Sequence, residues 1–259
     1  MKKTFSPQIK YYESYDQDFV FSDNQDYNIP ASYKWIHSNP IYRLVSACFY
    51  RVAEFLIVVT FPVVYGMRRK NKKVLRKAKG SGYFIYANHT QPFADVFAPS
   101  FVQRKKRVYV VAGRANLGVP VMGKLLPSLG AITVPDDIER MPLFMEAISH
   151  RIGQKKAVAI YPEAHVWPYA TFVRPFPVTS FRFPIKENVP TFALTTTYQK
   201  RKFFKKPSIT VYVDGPFYPD ATLSRKERQK KLHSQVTEAM ERRSKNSTYT
   251  YIDYVPKNK

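Results

Sequence analysis

The chain has 259 residues, of which 44% are hydrophobic, so it is long enough to bury a sizeable core and is unlike a disordered chain. Lysine and arginine together number 42 against 19 acidic residues, and the resulting net charge of +23 predicts association with polyanions, either nucleic acid or anionic lipid. The single cysteine, Cys48, excludes an internal disulfide framework and a multi-cysteine metal site, and its apolar neighbours predict that it is buried.

Residues 1–41 form a polar, tyrosine-rich N-terminal extension. Its aromatic side chains predict an arm that packs onto another part of the protein. The extension lacks the apolar core of a signal peptide, so nothing in it predicts export.

Residues 42–79 predict an apolar, membrane-associating helix with a basic flank. Its most apolar run, 55–65 (FLIVVTFPVVY), is shorter than the roughly 20 residues needed to cross a bilayer. Arg51 and Glu54 can pair on a helix, and Pro62 would kink or end it. The adjoining basic run, 68–80, favours a helix that lies in the interface or dips into one leaflet, in contact with anionic lipid. The alternatives for the apolar segment are a buried core helix plus a strand and, least favoured, a full membrane span, and the alternative for the basic run is a solvated linker.

Residues 80–259 alternate between strand and helix patterns. Helices are expected over 119–129, after a cap at Asp136 or Asp137, and after the capping-box pair Ser224 and Glu227. Strands are expected at 83–87, 107–112, 131–134, 156–161, 191–198 and 208–213. This alternation predicts an α/β domain with a mixed sheet flanked by helices.

Reactive side chains follow three of these strands. His89 follows strand 83–87, Arg114 follows strand 107–112, and Glu163 and His165 follow strand 156–161. Because ligands bind at the carboxyl ends of strands in open α/β sheets, we expect these residues to share one site.

A histidine–carboxylate pair is suited to activating a hydroxyl group. A neutral His89 imidazole can take the hydroxyl proton near neutral pH, and Asp95 can fix its tautomer and stabilise the imidazolium that forms. Asn88, Thr90 and Gln91 could then orient the substrate or the ring. The alternative is a histidine that merely caps the start of a helix.

Four short blocks resemble the glycerol-3-phosphate and lysophosphatidic acid acyltransferase family, in the family's order. They are 88–95 (NHTQPFAD), 130–134 (GAITV), 160–165 (IYPEAH) and 189–193 (VPTFA). The resemblance implies a glycerolipid acyltransferase-like fold with an N-terminal membrane-interface helical segment, His89 as the catalytic base and Asp95 as its partner. For Glu163 the resemblance implies one of two roles, either contact with the acceptor or support of the loop.

The sequence also departs from the family pattern. Five residues rather than four separate His89 from Asp95, so their contact is not guaranteed. Two arginines that the family associates with the acceptor's phosphate are missing, since Asp136 and the segment 164–166 (AHV) stand near their places. Either other cations replace them or the acceptor is not a simple glycerol phosphate. The candidate replacements are Arg114, Lys124, Arg174 and His165.

The resemblance therefore implies acyl transfer from acyl-CoA or acyl carrier protein to a lysophospholipid, 1-acylglycerol-3-phosphate first, at the cytoplasmic face of the cell membrane. No cofactor or metal is expected, and nucleic acid is the less favoured partner. A different lipid acceptor and an inactive, basic binding module are the alternatives. A metal-dependent hydrolase built on His89, Asp95, Glu163 and His165 fits the order of the blocks less well.

Overall fold

A computed structural model describes residues 6–21 and 24–257. The helices are α1 (Pro40–Val64), α2 (Ala98–Val102), α3 (Met122–Leu129), α4 (Met141–Gly153), α5 (Arg182–Glu187) and α6 (Arg225–Ser244). The strands are β1 (Gln8–Tyr12), β2 (Arg68–Lys70), β3 (Tyr83–Ala87), β4 (Val108–Ala112), β5 (Ala131–Thr133), β6 (Ala157–Ile160), β7 (Thr191–Gln199), β8 (Ser208–Phe217) and β9 (Ile252–Pro256). Short 3₁₀ helices join several of these elements.

The central sheet is mixed, as the sequence predicts. Its strand order is β2-β8-β7-β3-β6-β4-β5, and every neighbouring pair is parallel except β7 and β8. In register, Ile85 of β3 lies between Ala159 of β6 and Phe192 of β7. The carboxyl ends of β3, β4 and β6 therefore lie at one edge of the sheet.

The core lies on both faces of this sheet. Tyr83 and Ile85 of β3 pack with α1 and α2 on one face, whereas Phe84 and Tyr86 pack with α4 and α6 on the other. All five residues of β3 are buried, as expected for a central parallel strand covered by helices on both sides.

Helix α1 is longer than the apolar run in the sequence indicates. It begins after Asn39, whose side chain accepts hydrogen bonds from the backbone N–H groups of Ile41 and Tyr42. The predicted pair of Arg51 and Glu54 forms, at 2.6 Å. The buried face of α1 carries Ser46, Tyr50, Glu54, Ile57 and Phe61, which are spaced three or four residues apart.

The other face of α1 is apolar and exposed. It includes Ile41, Leu44, Val45, Phe49, Val52, Phe55, Leu56, Val59, Val63 and Val64. By length and composition alone, α1 is long and apolar enough to cross a membrane, and 28% of its most apolar stretch is buried. An interfacial position for this helix stays a prediction.

Two local expectations were wrong. Cys48 is exposed, because it lies on the outward face of α1 rather than on its buried face. The helix expected over 119–129 begins only at Met122, because Val121 adopts a left-handed backbone conformation (φ 62°) that interrupts it. The basic flank, for which a solvated linker was the alternative to lipid contact, forms β2 and a 3₁₀ helix over Lys72–Ala78.

The N-terminal arm packs against the loop that follows β6. Strand β1 pairs in parallel with β9 near the C-terminus. Trp167 of the loop contacts the rings of Tyr12 at 4.8 Å and Phe19 at 5.1 Å, and its Nε1 donates to the Gln17 carbonyl at 2.8 Å. The arm is thus fixed next to the sheet edge that carries His89.

Candidate active site

His89 and Asp95 form a direct pair at the carboxyl end of β3. The Nδ1 atom of His89 lies 3.0 Å from Oδ2 of Asp95, although five residues separate the two in the chain. The His89 side chain is 17% exposed and that of Asp95 only 2%. The intervening loop therefore absorbs the extra residue and keeps the imidazole at the surface with its carboxylate beneath it.

The loop holds Asp95 rigidly in place. Its Oδ2 atom also accepts hydrogen bonds from the backbone N–H groups of Thr90 at 2.6 Å and Gln91 at 2.8 Å. The Tyr161 hydroxyl donates to the Asp95 backbone carbonyl. Since Oδ2 can only accept from its two backbone donors, an adjacent proton on His89 Nδ1 completes the set, which favours the His89 tautomer that carries its proton on Nδ1.

This tautomer leaves Nε2 of His89 as the basic nitrogen. Among the described residues, none forms a hydrogen bond with Nε2, so its lone pair can accept a proton from a ligand. The Tyr161 ring lies against the imidazole, with ring centroids 4.6 Å apart. Burial, and after it the charge of Asp95, raises the pKa of Tyr161 well above its ordinary value, so this ring stays a neutral donor.

Glu163 fastens the His89 loop to the loop after β6. Its Oε2 accepts from the His89 backbone N–H at 3.0 Å, and its Oε1 accepts from the Arg174 backbone N–H at 3.0 Å. The Arg174 guanidinium completes a buried ion pair at 3.0 Å, in which each side chain is 1% exposed. Burial raises the pKa of Glu163, and the Arg174 charge opposes that shift. This geometry favours loop support over acceptor contact.

Three residues of this loop were expected to orient the substrate or the ring: Asn88, Thr90 and Gln91. In the structure they instead anchor the loop to β7. All three are buried. Asn88 exchanges two hydrogen bonds with the backbone of Thr196 in β7, at 2.8 and 3.1 Å. The Tyr198 hydroxyl lies 2.6 Å from Thr90 Oγ1 and accepts from Gln91 Nε2 at 2.9 Å. They therefore position His89 indirectly, through its backbone.

The sequence of the chain matches one known protein family over most of its length. The sequence model of the family described as Acyltransferase matches residues 66–219, more than half of the chain, and this range contains both the His89–Asp95 pair and the Glu163–Arg174 pair. The chain belongs to the acyltransferase family.

A solved structure shows the same fold. The crystal structure of the 1-acyl-sn-glycerophosphate (LPA) acyltransferase PlsC from Thermotoga maritima matches 81% of this acyltransferase and 96% of that chain, with a TM-score of 0.55 and 12% sequence identity. At that identity the likeness concerns the fold alone. The comparison with curated proteins gives no match.

Two of the predicted substrate-binding residues of this acyltransferase stay partly exposed. Arg114 lies 3.5 Å from Asp26, and its side chain is 34% exposed. His165 Nδ1 lies 2.7 Å from Asp18, and its side chain is 33% exposed. Both carboxylates belong to the N-terminal arm, which therefore lies at the same edge of the sheet. Binding of substrate by either side chain stays a prediction.

Arg174 cannot serve as the replacement phosphate-binding cation. Its side chain is 1% exposed and stacks on the Trp167 ring, with the guanidinium carbon 4.9 Å from the ring centroid. Its guanidinium donates to Glu163 and to the carbonyls of Tyr15 and His165. No pattern in the sequence marks it as the partner of Glu163, because this contact depends on how the loop folds back.

An apolar pocket adjoins the candidate site. It lies between α1, α3 and β4, and its lining includes Val96 and Phe97, which directly follow Asp95. Its wall also carries Ile57, Val110, Leu126 and Leu129. The volume is about 60 Å³, enough for only a short stretch of an acyl chain.

Proposed function

We propose that this acyltransferase moves a fatty acyl group from an acyl thioester, acyl-CoA or acyl carrier protein, to the hydroxyl of a lysophospholipid, with 1-acylglycerol-3-phosphate as the first candidate. The observation that carries the proposal is the pair of His89 and Asp95, with Nε2 of His89 open to a ligand. The proposed place of action is the cytoplasmic face of the cell membrane, and the proposed reaction needs no cofactor beyond the acyl donor.

The proposed reaction is a direct transfer. Nε2 of His89 takes the acceptor's hydroxyl proton as the hydroxyl oxygen attacks the thioester carbonyl carbon. Collapse of the tetrahedral intermediate breaks the carbon–sulfur bond, and the departing thiolate takes the proton from the imidazolium. Asp95 stabilises the imidazolium between these two steps. No acyl-enzyme is required.

The exposed apolar face of α1 supports action at a membrane. The rings of Phe61 in α1, Phe97 and Phe93 form a continuous contact, with centroids 6.0 and 5.3 Å apart, that runs from the helix to the His89 loop. Phe93 is itself 56% exposed. A membrane that receives both the exposed face of α1 and Phe93 would also meet the loop that holds the catalytic base.

Basic groups border the exposed face of α1, as binding to anionic lipid would require. Arg201 of the loop 200–206 donates to the carbonyls of Val63 and Val64 at the end of α1, and Phe203 and Phe204 of that loop are exposed. A pocket of about 490 Å³ beside the 3₁₀ helix Lys72–Ala78 is lined mainly by cations. They are Arg69, Lys72, Lys73, Arg76, Lys79, Arg104, Lys105 and Lys106.

The test is a transfer assay with purified protein in anionic vesicles, a labelled acyl thioester and a panel of acceptors. The panel holds 1-acylglycerol-3-phosphate, glycerol 3-phosphate, other lysophospholipids and monoacylglycerol. His89→Ala should lower kcat by ~10²–10⁴, the usual contribution of a general base. His150→Ala on α4 is the matched control and should keep wild-type turnover.

Each outcome separates the alternatives. Product with 1-acylglycerol-3-phosphate that depends on His89 supports the full proposal. Product with a different acceptor, and none with 1-acylglycerol-3-phosphate, would mean that the two arginines are missing because the substrate differs from that of the family. No product with any acceptor, together with tight salt-sensitive nucleic-acid binding, would favour an inactive binding module.

A further inference from the structure

A second large pocket lies away from the His89 site, at the amino ends of the strands. Two of its lining residues, Arg107 and Lys156, immediately precede β4 and β6, whereas His89 follows the carboxyl end of β3. The pocket has a volume of about 430 Å³ and lies between the first half of α1, the segment 33–37 and the edge strand β5. It is therefore distinct from the site proposed for acyl transfer.

The charged residues that line this pocket are all basic. Its lining includes Lys34, Arg43, Arg51, Arg107, Arg151 and Lys156, and no acidic residue of the described chain is among its lining residues. Arg51 is neutralised by Glu54, at 2.6 Å. The other five cations form no ion pair with any residue in the ranges that the structure describes.

Two of these cations are held in place without an anion. Arg107 donates to Ser46 Oγ at 2.8 Å and to the Ser128 carbonyl at 2.6 Å. Arg107 and Arg151 both stack on the Tyr109 ring, at 5.0 and 4.6 Å. The Nε atom of each is buried and has no hydrogen-bond partner in the structure. Burial, followed by the charges of Arg107 and Arg43, lowers the pKa of Arg151.

Partly buried cations that lack counter-charges are costly unless an anion joins them. Planar guanidinium groups bind phosphate oxygens two at a time, so a phosphate group matches this lining. The mouth of the pocket indicates where that phosphate comes from. Leu44 lines the pocket and is 66% exposed on the apolar face of α1, next to the exposed Ile41 and Val45.

We propose that this pocket binds the phosphate of an anionic membrane phospholipid, separately from the site of acyl transfer. The acyl chains of that lipid lie along the exposed face of α1, and its headgroup reaches Arg107 and Arg151. The bound lipid is not consumed. The site does not depend on turnover at His89, so its test is independent of the assay for transfer.

The test measures binding by calorimetry with dihexanoyl phosphatidylglycerol below its micelle concentration, and with inorganic phosphate in a parallel arm. We expect saturable binding of one phosphatidylglycerol. Arg151→Gln, and separately the exposed pair Lys34→Gln with Arg43→Gln, should weaken it by about tenfold or more, the loss of at least one charge-assisted hydrogen bond. The matched control removes two charges elsewhere, by Lys226→Gln with Lys230→Gln on α6, and should leave affinity unchanged.

Three results would overturn the proposal. One is an equal loss of affinity in the Lys226 and Lys230 control, which would mean unspecific attraction by a chain of charge +23. Another is inorganic phosphate that binds as tightly as the lipid, which would make this a site for free phosphate. The last is an absence of saturable phosphatidylglycerol binding. Lys34 and Arg43 are exposed, so their variant stays folded and informative if Arg151→Gln does not fold.

Discussion

Replacing Asp95 by asparagine separates the charge of this carboxylate from its geometry. One oxygen, Oδ2, accepts all three hydrogen bonds, from His89 Nδ1 and from the backbone N–H groups of Thr90 and Gln91. An asparagine carbonyl oxygen at the same place can accept the same three bonds. The loop and the His89 tautomer should then be kept, and only the negative charge under the imidazole is removed.

The expected loss follows from the strength of these bonds. A hydrogen bond to a charged group contributes about 1.5–3 kcal/mol and a neutral one about 0.5–1.5 kcal/mol, so the imidazolium loses roughly 1–2 kcal/mol of stabilisation. That difference corresponds to a fall in kcat of about 5- to 30-fold. His89→Ala removes the base itself and should cost more, ~10²–10⁴.

The assay measures kcat, KM and thermal unfolding for wild type, Asp95→Asn and His89→Ala, with the best acceptor from the panel. Asp95→Asn should lower kcat with little change in KM or melting temperature. Wild-type kcat in this variant would refute a role for the Asp95 charge. A loss as large as that of His89→Ala would refute the preserved geometry, because it would mean that the amide has turned and selected the wrong tautomer.

Three further predictions concern stability. Arg174→Met leaves Glu163 buried without its partner and should lower the free energy of unfolding by about 3–5 kcal/mol, measured by denaturant titration. Gly82→Ala should lower the melting temperature, because the added Cβ would lie 2.4 Å from a backbone carbonyl oxygen of α4, whereas Gly80→Ala, with nothing within 4 Å, should not. Burial raises the pKa of Tyr83 from 10.0 to about 12, so its neutral form stabilises the fold fully below pH 10, and roughly 3 kcal/mol is lost as pH rises to about 12. Denaturant titrations across that range should show a shallower loss for Tyr83→Phe.

Each of these has a contrary outcome. A loss below about 1 kcal/mol for Arg174→Met would mean that the pair is hydrated rather than buried. Equal melting temperatures for the variants of Gly82 and Gly80 would contradict the close backbone contact at Gly82. An identical alkaline loss in wild type and Tyr83→Phe would assign the pH dependence to other buried tyrosines, such as Tyr86.

The parts of the fold that depend on local pattern could be predicted from the sequence. Strand β3 is a short apolar run, and the capping box of Ser224 and Glu227 at the start of α6 forms as expected. Strand β2 could not be found in this way, since its residues are basic and its strand character comes from pairing with the distant β8. Cys48 shows the opposite failure, because an apolar neighbourhood in the sequence does not distinguish a core from an exposed apolar face.

In the candidate site, too, contacts between residues close in the chain could be predicted, and contacts between distant residues could not. His89 and Asp95 lie close together in the chain, so their residue types and the family resemblance predicted the pair, although the extra residue between them left the contact open until the structure placed it at 3.0 Å. The bond between Asn88 and Thr196 spans 108 positions, and sequence alone indicated only a polar residue near a histidine. The roles of residues in such contacts are set by tertiary folding, which brings β7 beside β3.

The structure also narrows the question of the missing arginines. Arg174 is buried beneath the loop in its ion pair with Glu163, whereas Arg114 and His165 remain partly exposed and face Asp26 and Asp18 of the N-terminal arm. A phosphate carries about −1.5 to −2 charges, more than one carboxylate, so a phosphate-bearing acceptor can compete with these aspartates for the Arg114 and His165 side chains. An acceptor without phosphate leaves both pairs intact. The panel of acceptors therefore also tests whether Arg114 and His165 leave the aspartates of the N-terminal arm to bind the substrate.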